Sequence, residues 1–145
     1  MIDESLANIR RTFADVDFTV ELNLADDTTL PYVKPYARSL INNLLHNAVK
    51  YRSYNRPLVI GIRVVKISET ELLLEVSDNG IGMDLNRYGH LLFQPFKRLT
   101  AERPGTGIGL SIVKNAIERN GGRIEVQSQI NKGATFKVYM QAYAQ

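Results

Sequence analysis

The chain contains no cysteine. That excludes disulfides and thiolate zinc sites and fits a reducing cytosol. No apolar run approaches the ~20 residues that span a bilayer. Residues 1–11 carry Asp3 and Glu4 and no apolar core, so they do not read as a signal peptide. Charge of one sign is scarce as well. Eighteen Lys and Arg stand against 15 Asp and Glu, a net charge of +3 that is scattered along the chain. The scatter suits solubility and phosphate binding and argues against a nucleic-acid surface, which needs clustered basic residues. Histidine is limited to His46, followed by Asn47, and His90, followed by Leu91. Repeats and low-complexity tracts are absent. What remains is ordinary for one globular domain: 145 residues, 44% hydrophobic and 23% charged. A chain of that length buries roughly 68–70% of its unfolded surface and needs no covalent staple to fold.

Residues 1–12 place Ile2, Leu6 and Ile9 at helical spacing and predict a short amphipathic helix. Too short to hold alone, it is expected to continue something upstream. Phe18–Leu24 alternates apolar and polar residues, the pattern of a half-buried strand. Asp26-Asp27-Thr28-Thr29 reads as a turn, and Pro31 and Pro35 delay the next helix to about residue 36. Residues 36–51 then predict a strong helix striped by Ile41, Leu44, Leu45 and Ala48. Residues 58–67 and 71–77 alternate around Ser68-Glu69-Thr70, which predicts a hairpin. Residues 83–109 read as irregular, aromatic and proline-containing at the centre and glycine-rich at the end. Loops that long are usually functional or disordered. A second helix is predicted over 110–120, closed by Gly121-Gly122. Strands over 123–128 and 135–140 flank the turn Asn131-Lys132-Gly133. Helices interleaved with hairpins predict an α/β (α+β) two-layer sandwich with helices on one face of the sheet.

Three segments carry candidate chemistry. On the first long helix, Asn43, Asn47, Lys50 and Tyr51 share a face distinct from the apolar stripe. Amide oxygens suit Mg²⁺, which takes one or two protein ligands, and an ammonium one turn on suits a phosphate oxygen. A plain solvated face would carry the same residues. Asp78-Asn79-Gly80-Ile81-Gly82 follows a strand directly. Its glycines let a backbone approach a flat ligand, and its aspartate can accept from an adenine amino group. An ordinary Asp-Gly turn fits the same letters. Gly105-Thr106-Gly107-Ile108-Gly109 precedes a helix and would turn amides and the positive dipole end toward an anion. No Gly-Lys-Ser/Thr follows, so it is not a Walker loop. No strand directly precedes it, so it is not a dinucleotide fingerprint.

In order along the chain, residues 43–51, 78–82, 92–98 and 105–110 resemble the N, G1, F and G2 boxes of the histidine kinase ATPase domain. Gly133-Ala134-Thr135-Phe136 resembles its small closing box. The resemblance runs from about residue 40 to 138 and is to the ATP-binding catalytic domain of sensor histidine kinases. That superfamily also holds gyrase-type topoisomerases, a heat-shock chaperone and mismatch-repair ATPases. It implies a Bergerat-type fold, a mixed β-sheet with helices on one face, and ATP and Mg²⁺ as ligands. By the same resemblance, Asn47 coordinates Mg²⁺ between the phosphates with Asn43 beside it. Lys50 reaches phosphate oxygens, Tyr51 lines the nucleotide, Asp78 bonds the adenine amino group, and Gly80 and Gly82 admit the base. Residues 83–106 are the implied ATP lid, anchored by Phe93 and Phe96, two aromatics that equally suit a core. Arg98 touches the γ-phosphate. Gly105, Gly107 and Gly109 hinge the lid, and Thr106, Leu110 and Thr135 complete the nucleotide contacts.

Members of the superfamily that hydrolyse ATP resemble one another in carrying a glutamate four residues before the Mg²⁺ asparagine, as general base. Here that position is Asn43, and an amide takes no proton at neutral pH. The Asn-x-x-x-Asn pair and Phe93-Gln94-Pro95-Phe96 fit kinases better than hydrolases. A complete histidine kinase also carries a phosphoaccepting histidine, usually followed by an acidic residue, and neither histidine here has that neighbour. The resemblance therefore implies a histidine protein kinase catalytic domain over residues 13–145. Residues 1–12 are read as the tail of a helix leading to a missing dimerisation and phosphoacceptor domain. Implied partners are that acceptor domain and, indirectly, a response regulator. The implied setting is cytoplasmic, in a homodimeric parent that can be membrane-anchored, with this piece a monomer. A nucleotide-binding module without kinase activity, or an ATPase or serine kinase of the same superfamily, is the alternative.

Overall fold

The parallel pair β1 (Phe18–Leu24) and β2 (Leu58–Lys66) needs a crossover, and α2 (Tyr36–Lys50) lies between the two strands in sequence. The computed structural model describes residues 2–24, 36–89, 92–93 and 109–141. β2 turns back antiparallel into β3 (Glu71–Asp78), the hairpin read from the alternation. After the short α3 (Leu85–Tyr88), α4 (Gly109–Arg119) leads to β4 (Arg123–Gln129), which pairs antiparallel with β5 (Gly133–Gln141). The strand order is β1-β2-β3-β5-β4, a mixed five-stranded sheet.

Side chains alternate across a strand, so register decides the core. Ile60, Ile62 and Val64 of β2 share rows with β3 and β5, including Val76–Phe136 and Leu74–Val138. All of these are buried, together with Leu72 and Met140. Leu40, Ile41, Leu44, Leu45, Ala48 and Val49 of α2 and Val113 and Ile117 of α4 join the same cluster. Burying each large aliphatic side chain contributes about 1.5–3 kcal/mol. The opposite sheet face is more polar, apart from the buried Leu73. It carries a charge ladder in which Glu75 meets Arg63 at 2.9 Å and Lys137 at 3.6 Å.

α1 (Ile2–Thr12) begins with Asp3 and Glu4 and ends with Arg10 and Arg11, charges matched to the helix dipole. It packs on α2, with Ile2, Ser5 and Ile9 buried and Glu4 paired with Arg38. α4 ends in a Schellman cap: Gly122 N donates to Ile117 O at 2.9 Å and Gly121 N to Glu118 O at 3.1 Å. Gly121 takes φ +82°, as that motif requires.

Two expectations need correction. The alternating β1 was expected to be half-buried along its length. Phe18 is buried under the Arg10 guanidinium, but Leu22 and Leu24 are 47% and 42% exposed, because β1 is an edge strand whose far half is left uncovered. The span 83–109, irregular by its sequence, holds one helical turn among its described residues. Asp84, accepting from Asn86 N at 3.1 Å, caps the single helical turn of α3. Among the described residues no helix is long and apolar enough to cross a membrane.

Candidate functional site

Asp78 ends β3 on the inner row with Ile60 and Ala134, facing the helical layer. Burial there disfavours the charged carboxylate and raises its pKa to about 6. The backbone amides of Gly80 and Ala134 and the positive charge of Arg56 act against that rise. Gly80 N donates to Asp78 Oδ1 at 2.8 Å, which fixes the carboxylate rotamer.

The segment after Asp78 is held on two sides. Toward α2, Ile81 N donates to Tyr51 O at 3.0 Å. A Cβ on Gly80 would run into that same carbonyl, so only glycine allows the approach. Toward the β4–β5 turn, Asn131 N donates to Ile81 O at 2.7 Å. Met83 N donates to Ser128 Oγ at 2.9 Å, and that hydroxyl donates to Gly133 O at 2.7 Å. Gly82 sits at φ +66°, and a Cβ there would run into Gln129 O. The glycines therefore serve close packing of backbone on backbone, as well as any approach to a ligand.

On α2, Asn43, Asn47 and Lys50 are half-buried. A purely solvated face would leave all three open. Asn43 Nδ2 donates to Ser39 O at 2.9 Å, so its Oδ1 is the acceptor that remains. Lys50 Nζ stands 5.2 Å from the Tyr51 ring centre. Burial and the Lys50 charge lower the pKa of His46, whose ring meets Phe13 edge-on at 4.8 Å. An open cleft of about 390 Å³ lined by Arg38, Ser39, Asn42, Asn43 and His46 adjoins this helix.

The structure thus brings Tyr51, Asp78, Gly80 and Gly82 together through the Ile81–Tyr51 bond, at the end of the helix that carries Asn43, Asn47 and Lys50. α4, beginning at Gly109 and Leu110, packs on α2, with Leu110 against the core. Phe93 also packs on the core, 5.0 Å from Lys114 Nζ, which fits its reading as a core aromatic. Thr135 is not brought to this cluster. It pairs with Ser77, one residue out of phase with the Asp78–Ala134 row, so its side chain belongs to the other sheet face. Ala134 is the closing-box residue beside Asp78. Phe96, Arg98, Gly105, Thr106 and Gly107 lie outside the described residues.

Sequence reading missed Arg56 and Asn79. Arg56 donates to three main-chain carbonyls around the glycine segment. Asn79 accepts from Val59 N and donates to Pro57 O, both at 2.9 Å. Asn79 stands inside the 78–82 motif but its role there is not legible, and Arg56 carries no local signal, since the partners of both are main-chain and distant in sequence.

A mixed sheet under a helical layer, with an aspartate and glycine segment set against an asparagine-bearing helix, defines a class of ATPase domain. The family model for histidine kinase-, DNA gyrase B- and HSP90-like ATPases matches residues 33–144, and the chain belongs to that family. Its relatives point to one branch. Cyanobacterial phytochrome A of Nostoc is 39% identical over 141 residues, covering 93% of this chain and 17% of that protein. The autoinducer 2 sensor kinase/phosphatase LuxQ of Vibrio vulnificus is 34% identical, covering 91% and 16%. The signal transduction histidine-protein kinase ArlS of Staphylococcus aureus is 31% identical, covering 84% and 27%. The chain thus spans under a third of these relatives. Among solved structures, the mycobacterial sensor histidine kinase MprB superposes with TM-score 0.74 at 26% identity, covering 99% of this chain and 95% of that one. ShkA, solved full-length with AMPPNP, superposes with TM-score 0.78 at 20% identity, covering 99% and 30%, and shares the fold. The domain is of the sensor histidine kinase catalytic type.

Proposed function

We propose that this domain binds ATP with Mg²⁺ and presents the γ-phosphoryl group for in-line transfer to a histidine on a separate domain. The observation that carries the reading is Asp78. A carboxylate on the helix-side face, fixed by the Gly80 amide and beside a segment that tolerates no side chain at Gly80, suits an exocyclic amino group on a flat base. Phosphoryl transfer needs mainly positioning and charge neutralisation. Lys50 supplies charge from α2, and Tyr51 lines the base end.

Among the described residues no group of three His, Cys, Asp or Glu could hold a metal. Amide oxygens on α2 are the donor set instead, and they fit Mg²⁺, which takes few protein ligands and leaves the rest to phosphate and water. Asn47, with Asn43 beside it, would hold the ion, whose contribution when bound is to neutralise phosphate charge. Arg98 and the amides of Gly105, Thr106, Gly107 and Gly109 are assigned to the phosphates by the family resemblance. Asn43 supplies no base, so the proton of the acceptor must be taken by a group beside the acceptor histidine. The parent is read as a cytoplasmically facing homodimer that passes phosphate on to a response regulator, with this domain monomeric on its own.

Calorimetric titration with ATP, ADP and GTP, with and without Mg²⁺, tests the reading. Adenine-selective binding strengthened by Mg²⁺ is expected. Absence of ATP binding overturns it.

A further inference from the structure

Arg56 lies in the connection between α2 and β2, outside every box that carries the family resemblance. The residue is half-buried, and its guanidinium grips the backbone of the glycine segment. Nε donates to Asn79 O at 2.6 Å and Nη2 to Gly80 O at 2.6 Å. These two nitrogens belong to one edge of a rigid planar group, so two consecutive carbonyls are fixed in direction together. Nη2 also donates to Asn131 O at 2.8 Å, which ties the β4–β5 turn to the same point.

The brace is reciprocal. Asn79 reaches back into the 57–59 backbone, accepting from Val59 N and donating to Pro57 O. The connection after α2 and the segment after β3 therefore each fix the other's peptide planes. Between them sits the Gly80 amide that orients Asp78. The Arg56 charge also favours the ionised form of that partly desolvated carboxylate.

We propose that Arg56 is a positioning residue of the nucleotide site, orienting the 78–82 backbone so that Asp78 meets the base correctly. The inference rests on the ATP-binding reading above. Among the described residues Arg56 donates to main-chain carbonyls, and it is assigned no contact with nucleotide. A lysine would keep the charge and lose the two-carbonyl grip, so it separates geometry from electrostatics.

The test is titration of ATP and GTP into the full chain and its Arg56→Ala, Arg56→Lys, Asn79→Ala and Arg63→Ala variants. Measurements are made well below each melting temperature, with circular dichroism confirming the fold. Arg63, on the opposite sheet face, is the control and should leave ATP affinity unchanged. Arg56→Ala should weaken ATP at least tenfold while GTP changes little, so that base selectivity falls. Arg56→Lys should recover at most part of the loss, and Asn79→Ala should move in the same direction. Folded Arg56 variants that keep wild-type affinity and selectivity, whatever their melting temperatures, would overturn the proposal. If Arg56→Ala does not fold, the lysine and Asn79 variants decide alone: unchanged selectivity in both overturns it. Failure of the wild-type chain itself to bind ATP removes the underlying reading and this inference with it.

Discussion

The carbonyl oxygen of Tyr51 accepts the amide of Ile81 at 3.0 Å, so the end of α2 is bonded directly to the segment following β3. A displacement of either segment is therefore felt by the other. The asparagine-bearing helix and the Asp78 carboxylate act as one unit, and the variants below should report on that unit.

Asp78→Asn keeps the shape of the side chain but removes its charge and presents a donor where an acceptor is needed. ATP affinity should fall tenfold or more, since 1.4 kcal/mol is a factor of ten. Titration calorimetry at pH 7.5 measures it. Wild-type affinity in the variant would remove Asp78 from base recognition.

The same carboxyl sets a pH dependence. Its folded pKa is raised from 3.8 to about 6, chiefly by burial. Between those values the native state holds the extra proton, so stability falls as pH rises through the window. Above about pH 6 the charged group is a cost of order 1–3 kcal/mol, and below about pH 4 that cost is gone. Urea denaturation of the ligand-free chain from pH 4 to 7, with Asp78→Asn as reference, isolates the contribution. The stability difference, wild type minus variant, should decline across that range. A flat difference would mean Asp78 titrates as an exposed acid.

Most of the fold was legible from local pattern. The stripe of Ile41, Leu44, Leu45 and Ala48 identified α2, and alternation identified the β2–β3 hairpin, because one-sided burial writes a period into the sequence. What escaped depended on tertiary context. Nothing within β1 marks it as an edge strand, so exposure at Leu22 and Leu24 was hidden. Thr135 was assigned from a box resemblance, whereas strand phase decides its face, and register pairs it with Ser77. Arg56 carries no sequence signal, because its three carbonyl partners are brought in by folding. α3 is too short to show a period, and only its Asp84 cap was there to be read.

Asn47→Asp and Asn47→Ala should both abolish phosphoryl transfer to an added acceptor domain, measured with γ-labelled ATP. The alanine removes the amide oxygen and the aspartate replaces a neutral ligand with a charged one. Asn47 lies one helical turn from Asn43 and is half-buried rather than part of the core, so both variants should keep the fold. Retained transfer would exclude Asn47 from the metal site.

Asn43→Glu installs a base where the hydrolytic members of the superfamily resemble one another in carrying one. Asn43 loses only its bond to the Ser39 carbonyl, which is on its own helix. Slow ATP hydrolysis should rise by tenfold or more in a steady-state phosphate-release assay, with affinity within a few-fold of wild type. An unchanged rate would mean that water does not reach the γ-phosphate in this domain.

Two glycines with positive φ should respond differently to alanine. Gly82, at +66°, has the Gln129 carbonyl where a Cβ would go, and the Gly133 carbonyl 3.1 Å away. Gly121, at +82°, would bring its Cβ only to Gln141 Cγ at 3.6 Å, an ordinary contact. Both variants carry the left-handed penalty of about 1–2 kcal/mol. Gly82→Ala must also push the glycine segment off the β4–β5 turn, so its loss should exceed that of Gly121→Ala by at least about 1 kcal/mol. Urea unfolding of the two variants measures the gap. ATP titration adds a second criterion, because the helix-cap variant should bind normally while Gly82→Ala should not. Equal losses of stability, with binding intact in both, would show that contact with the β4–β5 turn does not set the position of Asp78.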